Sequence, residues 1–123
     1  MKSNSNIKPK VFENLGNGAW YFNYNIEETS RTNEDGSQEV AYDYEQVKVW
    51  GLPTKGAVIK LVIADNYSIE QEIDLSNDYT RFTLGISSDP SLKVKYIDYL
   101  NDVDAIKAMV ADSFEVNKGD IEQ

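Results

Sequence analysis

The chain contains no cysteine and no histidine in 123 residues. The first absence excludes disulfides and thiol catalysis and leaves the redox compartment open, with an intracellular origin the simplest reading. The second removes the commonest general base and metal ligand. Positive charge is scarce as well: 12 Lys and Arg against 21 Asp and Glu give a formal charge of −9 and a pI near 4.4. A duplex nucleic acid would be repelled by that field, so direct nucleic-acid binding is not expected. Long hydrophobic runs are also missing. The longest, Ala57 to Ala64, is broken by Lys60 and falls far short of the ~20 residues that cross a bilayer. The opening "MKSNSNIKPK" has no apolar segment of about 7 to 15 residues, as a signal peptide would. Neither a membrane span nor a secretion signal is expected.

What remains is the composition of one globular domain, 41% hydrophobic and 27% charged. Charge is uneven along it. Residues 1 to 10 carry three lysines and no acid, and they lack the apolar surface that would offset ordering, so they read as a flexible basic arm. Residues 27 to 46 carry seven acids against Arg31. The expected domain runs from 11 to 116, and 117 to 123 read as a polar tail.

The clearest periodicity is in "WYFNYNIEE", where Trp20, Phe22, Tyr24 and Ile26 alternate with polar neighbours and Tyr21, the period of two of a half-buried strand. "NEDGS" supplies Asp35-Gly36 for a tight turn, and "QEVAYDYEQVKVW" returns rich in β-branched and aromatic residues. A long N-terminal β-hairpin is predicted. Two registers compete: a two-residue turn at Asp35 and Gly36 sets Phe22 across from Val49 and Tyr24 across from Val47. A three-residue turn beginning at Glu34 pairs Trp20 with Trp50 and Glu28 with Tyr42. The first is preferred near the base because it gathers Trp20, Phe22, Tyr24, Val47 and Val49 on one face. Charge at the outer half should then fall on both faces.

Residues 57 to 66 are ambiguous between strand and helix. Thr54 as N-cap and Val58, Leu61 and Val62 at helical spacing favour a helix. Ser68 with Gln71 resembles a capping box that opens a second, short helix, one side of which Ile69, Ile73 and Leu75 could bury, and Pro90 suits a first helical position. From Leu92 through Tyr96, Tyr99, Leu100, Val103, Ile106 and Val110 to Phe114, steps of three and four predict one long helix or two recapped near Asp102, with a single apolar stripe. The fold class is therefore α+β, a long N-terminal hairpin packed on three or four helices.

No chemical motif competes well with these readings. Asp98, Asp102 and Asp104 could bind a hard cation, but such spacing is ordinary on a solvated helix face, and no metal or cofactor is expected. "NEDG" misses the twelve-residue ligand spacing of a calcium loop, and Gly16 and Gly18 lack the third glycine and strand-to-helix context of a dinucleotide fingerprint. An enzyme is the least expected class. The eight tyrosines, at 21, 24, 42, 44, 67, 79, 96 and 99, read mostly as packing residues. A stacking platform for bases would need basic neighbours, whereas Glu27, Glu28, Asp43 and Glu45 stand there. A protein-binding surface of Tyr21, Tyr42, Tyr44 and Trp50, meeting a partner by strand addition and aromatic packing, is the functional expectation.

"WYFNYNIEE", the polar "NEDGSQ" turn, "YDYEQVKVWGLPT", "VIKLVIADNYS" and "LSNDY" together resemble a group of small uncharacterised phage and prophage proteins. These are encoded among tail, baseplate and tail-fibre functions of gut bacteria. The resemblance spans roughly residues 18 to 80, and the stretch from Thr83 departs from that pattern. It implies a helical "VIKLVIADNYS", a tail-associated structural or assembly role, a tail or fibre polypeptide as partner, and a place in the bacterial host cytoplasm or the virion. It carries no functional residues. The competing expectation is an acidic inhibitor imitating a nucleic-acid backbone in a host enzyme's basic groove. Oligomeric state is not fixed by the residues, and a homo-oligomer stands among the expectations because exposed hairpins often pair and tail parts are often multimeric.

Overall fold

In the computed structural model, which describes residues 1 to 121, the strands precede the helices. Strands β1 (Lys2–Ser5), β2 (Phe12–Asn14), β3 (Ala19–Thr32) and β4 (Gln38–Trp50) form one antiparallel sheet in the order β1-β4-β3-β2. Helices α1 (Lys55–Asn66), α2 (Ile69–Thr83) and α3 (Ser91–Val116) follow. The mixed architecture agrees with the expected class, but the sheet is wider than a lone pair of strands. No helix among the described residues is long and apolar enough to cross a membrane.

The flexible arm is replaced by an edge strand. β1 sets Lys2 opposite Glu45 and Ser5 opposite Tyr42, and the Asn4 amide donates to Asp43 at 2.6 Å while accepting from Arg31 at 3.3 Å. Counting apolar surface missed this strand because an edge is held mainly by ladder hydrogen bonds and polar side-chain pairs. At the other end, the expected polar tail begins with a 3-10 turn, Lys118–Asp120, and Ile121 packs against the core. Glu122 and Gln123 lie outside the described residues.

Neither expected register holds along the whole β3/β4 pair. At the tip, the Gly36 amide donates to the Asn33 carbonyl at 3.0 Å, and Asn33 and Ser37 close the loop, leaving three residues in the turn with Gly36 at φ 83°. Glu28 accordingly faces Tyr42. Toward the base a β-bulge between Tyr24 and Glu27 slips the pairing by one, so that Phe22 meets Val47 and Trp20 meets Val49. Asn25 takes the left-handed conformation there, φ 51°, which its short polar side chain tolerates better than most. The slip has a packing cause: without it Phe22 would share a face with Lys48. The preferred base register was therefore off, yet the grouping it was chosen for survives, since Trp20, Phe22, Tyr24, Val47 and Val49 all enter one buried cluster.

Val58 and Val62, one turn apart on α1, and Val110 on α3 close that cluster over the sheet. The helical choice for 57 to 66 is correct. Thr54 accepts from the Ala57 amide at 3.3 Å, and the spacing of the two valines buries one face. The α2 capping box is present, with Ser68 and Gln71 bonding each other's backbone at 3.1 and 2.7 Å. α3 is one uninterrupted helix. Pro90 stands at its cap rather than inside it, and the Asp89 carboxylate accepts from the Ser91 amide at 3.0 Å in its place.

α2 differs from α1 and α3 because none of its residues is buried, and Ile69 and Ile73, expected to bury one side of it, face solvent instead. It packs on the N-terminal half of α3, where Tyr79 of α2 stacks on Tyr96 at 4.7 Å; Tyr96 in turn stacks on Tyr99 within α3 at 6.1 Å, and Tyr67, at the end of α1, stands edge-on to Tyr99 at 5.0 Å. The C-terminal half of α3 belongs to the core, where Phe114 meets Phe12 edge-on at 4.7 Å. One helix thus joins a packed half to a projecting half.

Candidate functional site

The side of the sheet away from the helices is formed by alternate residues of β3 and β4. Tyr42, Tyr44, Gln46, Lys48 and Trp50 follow one another along β4, and Tyr21 and Asn23 stand across from Lys48 and Gln46. All four expected binding residues therefore share this face. They do not form one patch. The chain from Ser5 to Phe12 must pass from one edge of the sheet to the other, and it does so across this side. The Lys10 carbonyl accepts from the Asn23 amide group at 2.7 Å, and Gln46 donates to Asn23 at 3.0 Å. Asn23 is thereby buried with its polar atoms satisfied.

This strap divides the aromatics. Tyr42 and Tyr44 lie on one side of it, half-buried, with Tyr44 sharing a groove with Lys8, Pro9 and Lys10. Tyr21, Lys48 and Trp50 lie on the other. Trp50 is 72% exposed, the Lys48 ammonium sits 4.3 Å from its ring centre, and Tyr21 is half-buried across from Lys48. A cation over an indole keeps the ring oriented while leaving its far surface free. Strand addition at the edges of β3 and β4 is blocked near the base, because β1 covers Tyr42 to Glu45 and β2 covers Trp20 to Phe22. The way Tyr42 and Tyr44 were expected to work is corrected accordingly: they offer ring surface, and the ladder positions beside them are taken.

The bulge also sorts the charges. Beyond Asn25 it brings Glu27 and Arg31 onto the helix side of the sheet with Glu39, Asp43 and Glu45, leaving Glu28 on the outer side. The expected spread over both faces is thus uneven. Arg31 answers one of these acids, Glu39, at 2.8 Å. Meanwhile Lys8, Lys10 and Lys48 attend the outer face, where Glu13 stands across from Tyr21, so of the acids on the two long strands all but Glu28 are turned away from the aromatic patch.

A cleft of about 510 Å3 opens between the bulge, the end of α1 and α3, lined by Asn25, Asn66, Tyr67, Asp102, Ile106 and Met109. The Tyr24 hydroxyl at its wall donates to Asp65 at 2.7 Å, and Asp65 also accepts from the Met1 ammonium at 2.6 Å. Burial, then the Asp65 hydrogen bond, holds the Tyr24 phenol well above its ordinary range. Tyr67 donates to Asp102, and that bond, with burial, pushes its pKa up to about 12. Tyr99 donates to Glu72 at 2.6 Å and is likewise pushed up to about 12, chiefly by that bond. Sequence reasoning missed these three tyrosine–carboxylate pairs, whose members stand 41, 35 and 27 residues apart. No local signal marks such a pairing. Of the three aspartates weighed as cation ligands, Asp102 is engaged by Tyr67, and no group of three acidic side chains among the described residues is arranged to hold a metal ion.

The shifts of Tyr67 and Tyr99 carry a sign. Both pKa values are raised above the 10.0 of a free phenol, so the stabilisation is fully present below pH 10 and disappears as pH rises toward 12. The α2/α3 contact, through Tyr99 and Glu72, and the junction of the α1 end with α3, through Tyr67 and Asp102, should loosen in that window, with tyrosinate absorbance and loss of helical circular dichroism rising together. Tyr67→Phe with Tyr99→Phe should shift that alkaline transition. An unchanged transition would show that the two phenols do not control it.

No family model matches this chain, and neither a curated protein nor a solved structure matches it.

Proposed function

We propose that this chain is a noncatalytic association module, a structural or assembly component that docks a protein partner on the outer face of its sheet. The observation that carries the reading is Trp50, a large aromatic 72% exposed beside Lys48 and Tyr21 on a rigid strand. Such anchors dominate binding energy at protein interfaces, and tryptophan and tyrosine are enriched among them. The long β3/β4 hairpin serves as the stiff support, with its acidic outer half projecting beyond the helices. The setting, a phage or prophage tail with a tail or fibre polypeptide as partner, rests on the sequence resemblance across residues 18 to 80. Lysines around the patch favour a partner surface that is apolar at its centre and acidic at its rim.

A second reading draws on the charge sorting described above. Glu27, Asp43 and Glu45 on one side of the outer sheet are a surface that a basic groove would accept, as an acidic inhibitor of a nucleic-acid enzyme would require.

Capture from a phage-infected lysate separates the two. Wild-type protein should retain tail or fibre polypeptides through a high-salt wash, and Trp50→Ala should lose them, by about 30-fold or more in affinity for a hot-spot anchor. Capture of a nuclease or polymerase that salt releases, and that Trp50→Ala still binds, would overturn the outer-face assignment in favour of the acidic side.

A further inference from the structure

The accessible surface is 8175 Å2 for 13.9 kDa, whereas a compact monomer of that mass exposes about 6,700 Å2. The excess of about 1,500 Å2 exceeds the ~800 Å2 that each partner contributes to a stable interface. Some of that surface is apolar and lies on the projecting half of the helical layer. There Ile69 and Ile73 on α2 are 73% and 52% exposed, and Ile97 and Leu100 on α3 are each 43% exposed. Helical periodicity sets these four on one side of the α2/α3 pair, opposite the cleft that Asp102 lines.

The stripe on α3 has a symmetry of its own. Lys93, Ile97, Leu100 and Asp104 follow at steps of four, three and four, so they lie along one line of the helix with a cation at one end and an acid at the other. Neither charge has an ion-pair partner among the described residues. Laid antiparallel against a copy of itself, the stripe pairs Ile97 with Leu100 of the copy and Lys93 with Asp104, twice over. That is the self-complementarity a two-fold interface requires.

We propose that the protein forms an antiparallel two-fold dimer through this stripe of α3, flanked by Ile69 and Ile73 of α2. Apolar burial supplies the affinity, and the two Lys93–Asp104 contacts set orientation and register, since exposed ion pairs contribute little energy but penalise wrong juxtapositions. The net −9 opposes association through general repulsion, which moderate salt screens. The dimer does not use the outer sheet face, so each particle would carry two copies of that face.

Sedimentation of the full chain over a wide concentration range should show a monomer–dimer equilibrium that Trp50→Ala leaves unchanged. Leu100→Asp should weaken it by about 30-fold or more. Lys93→Asp and Asp104→Lys should each weaken self-association, and mixing the two variants should restore it as a heterodimer, because each then meets its opposite charge at both ends. These exposed substitutions keep the fold, as circular dichroism should confirm. A monomer at every concentration, a dimer untouched by Leu100→Asp, or charge variants that fail to combine would each overturn the proposal.

Discussion

Phe22→Ala should lower the unfolding free energy by about 3 to 5 kcal/mol, the range for removing a buried aromatic ring. Phe22 is fully buried at the centre of the sheet, 5.2 Å from the Phe12 ring and stacked on Tyr24 at 5.6 Å, with Val47 opposite. Its neighbours come from three strands, so the cavity cannot close by moving one of them. For a domain of this size total stability is about 5 to 15 kcal/mol, and the loss is a large share of it. Urea unfolding should show a lower midpoint at an unchanged slope. Val40→Ala, at a site half exposed on the outer part of β4, should stay within about 0.5 kcal/mol. Equal effects at the two positions would contradict the location of the core.

Val62→Asp should cost more, above about 4 kcal/mol at neutral pH, and leave the domain largely unfolded. Val62 is 1% exposed on the face of α1 that closes the sheet. A carboxylate there has no cation within the cluster, and Asp65 stands one turn along the same helix. Burial would raise the new group's pKa in the folded state, so folding binds the proton, and the deficit should shrink as pH falls toward the ordinary carboxyl value near 4. Val62→Thr keeps the shape, and its hydroxyl can bond the carbonyl one turn back; it should cost about 1 to 3 kcal/mol. Near-wild-type stability of Val62→Asp would show that α1 does not pack through this face. The projecting half of the molecule should behave differently, since α2 buries no residue and rests on tyrosine stacking.

Local signals are those whose partners stand within about one helical turn or one strand repeat, and these were legible. Thr54 and Ala57, Ser68 and Gln71, the alternation of Trp20, Phe22 and Tyr24, and the apolar stripe from Leu92 to Phe114 each report contacts of that kind. By themselves these residues determined the mixed sheet-and-helix class, the starts of α1 and α2, and most of the faces that β3, α1 and α3 would bury, whereas Ile69, Ile73 and Leu100, expected to be covered, are exposed. Alternation along β4 also sets Tyr42, Tyr44 and Trp50 on one face, while Tyr21 joins them only through the register of β3 against β4.

Only the tertiary structure decided the rest. A one-residue slip at Asn25 depends on whether Phe22 can meet Val47 rather than Lys48, a comparison between strands that no window of either strand contains. The polar strand β1 has no periodicity to betray it, because its place comes from open ladder positions on β4. Its connection to β2 then crosses the outer face and parts Tyr42 and Tyr44 from Tyr21 and Trp50. The three tyrosine–carboxylate bonds wait on where α1, α2 and α3 dock. Short-range chemistry sets each element and its buried side, while register, edges and clefts are set by packing between elements far apart in the chain, where the competing arrangements differ by only a few contacts.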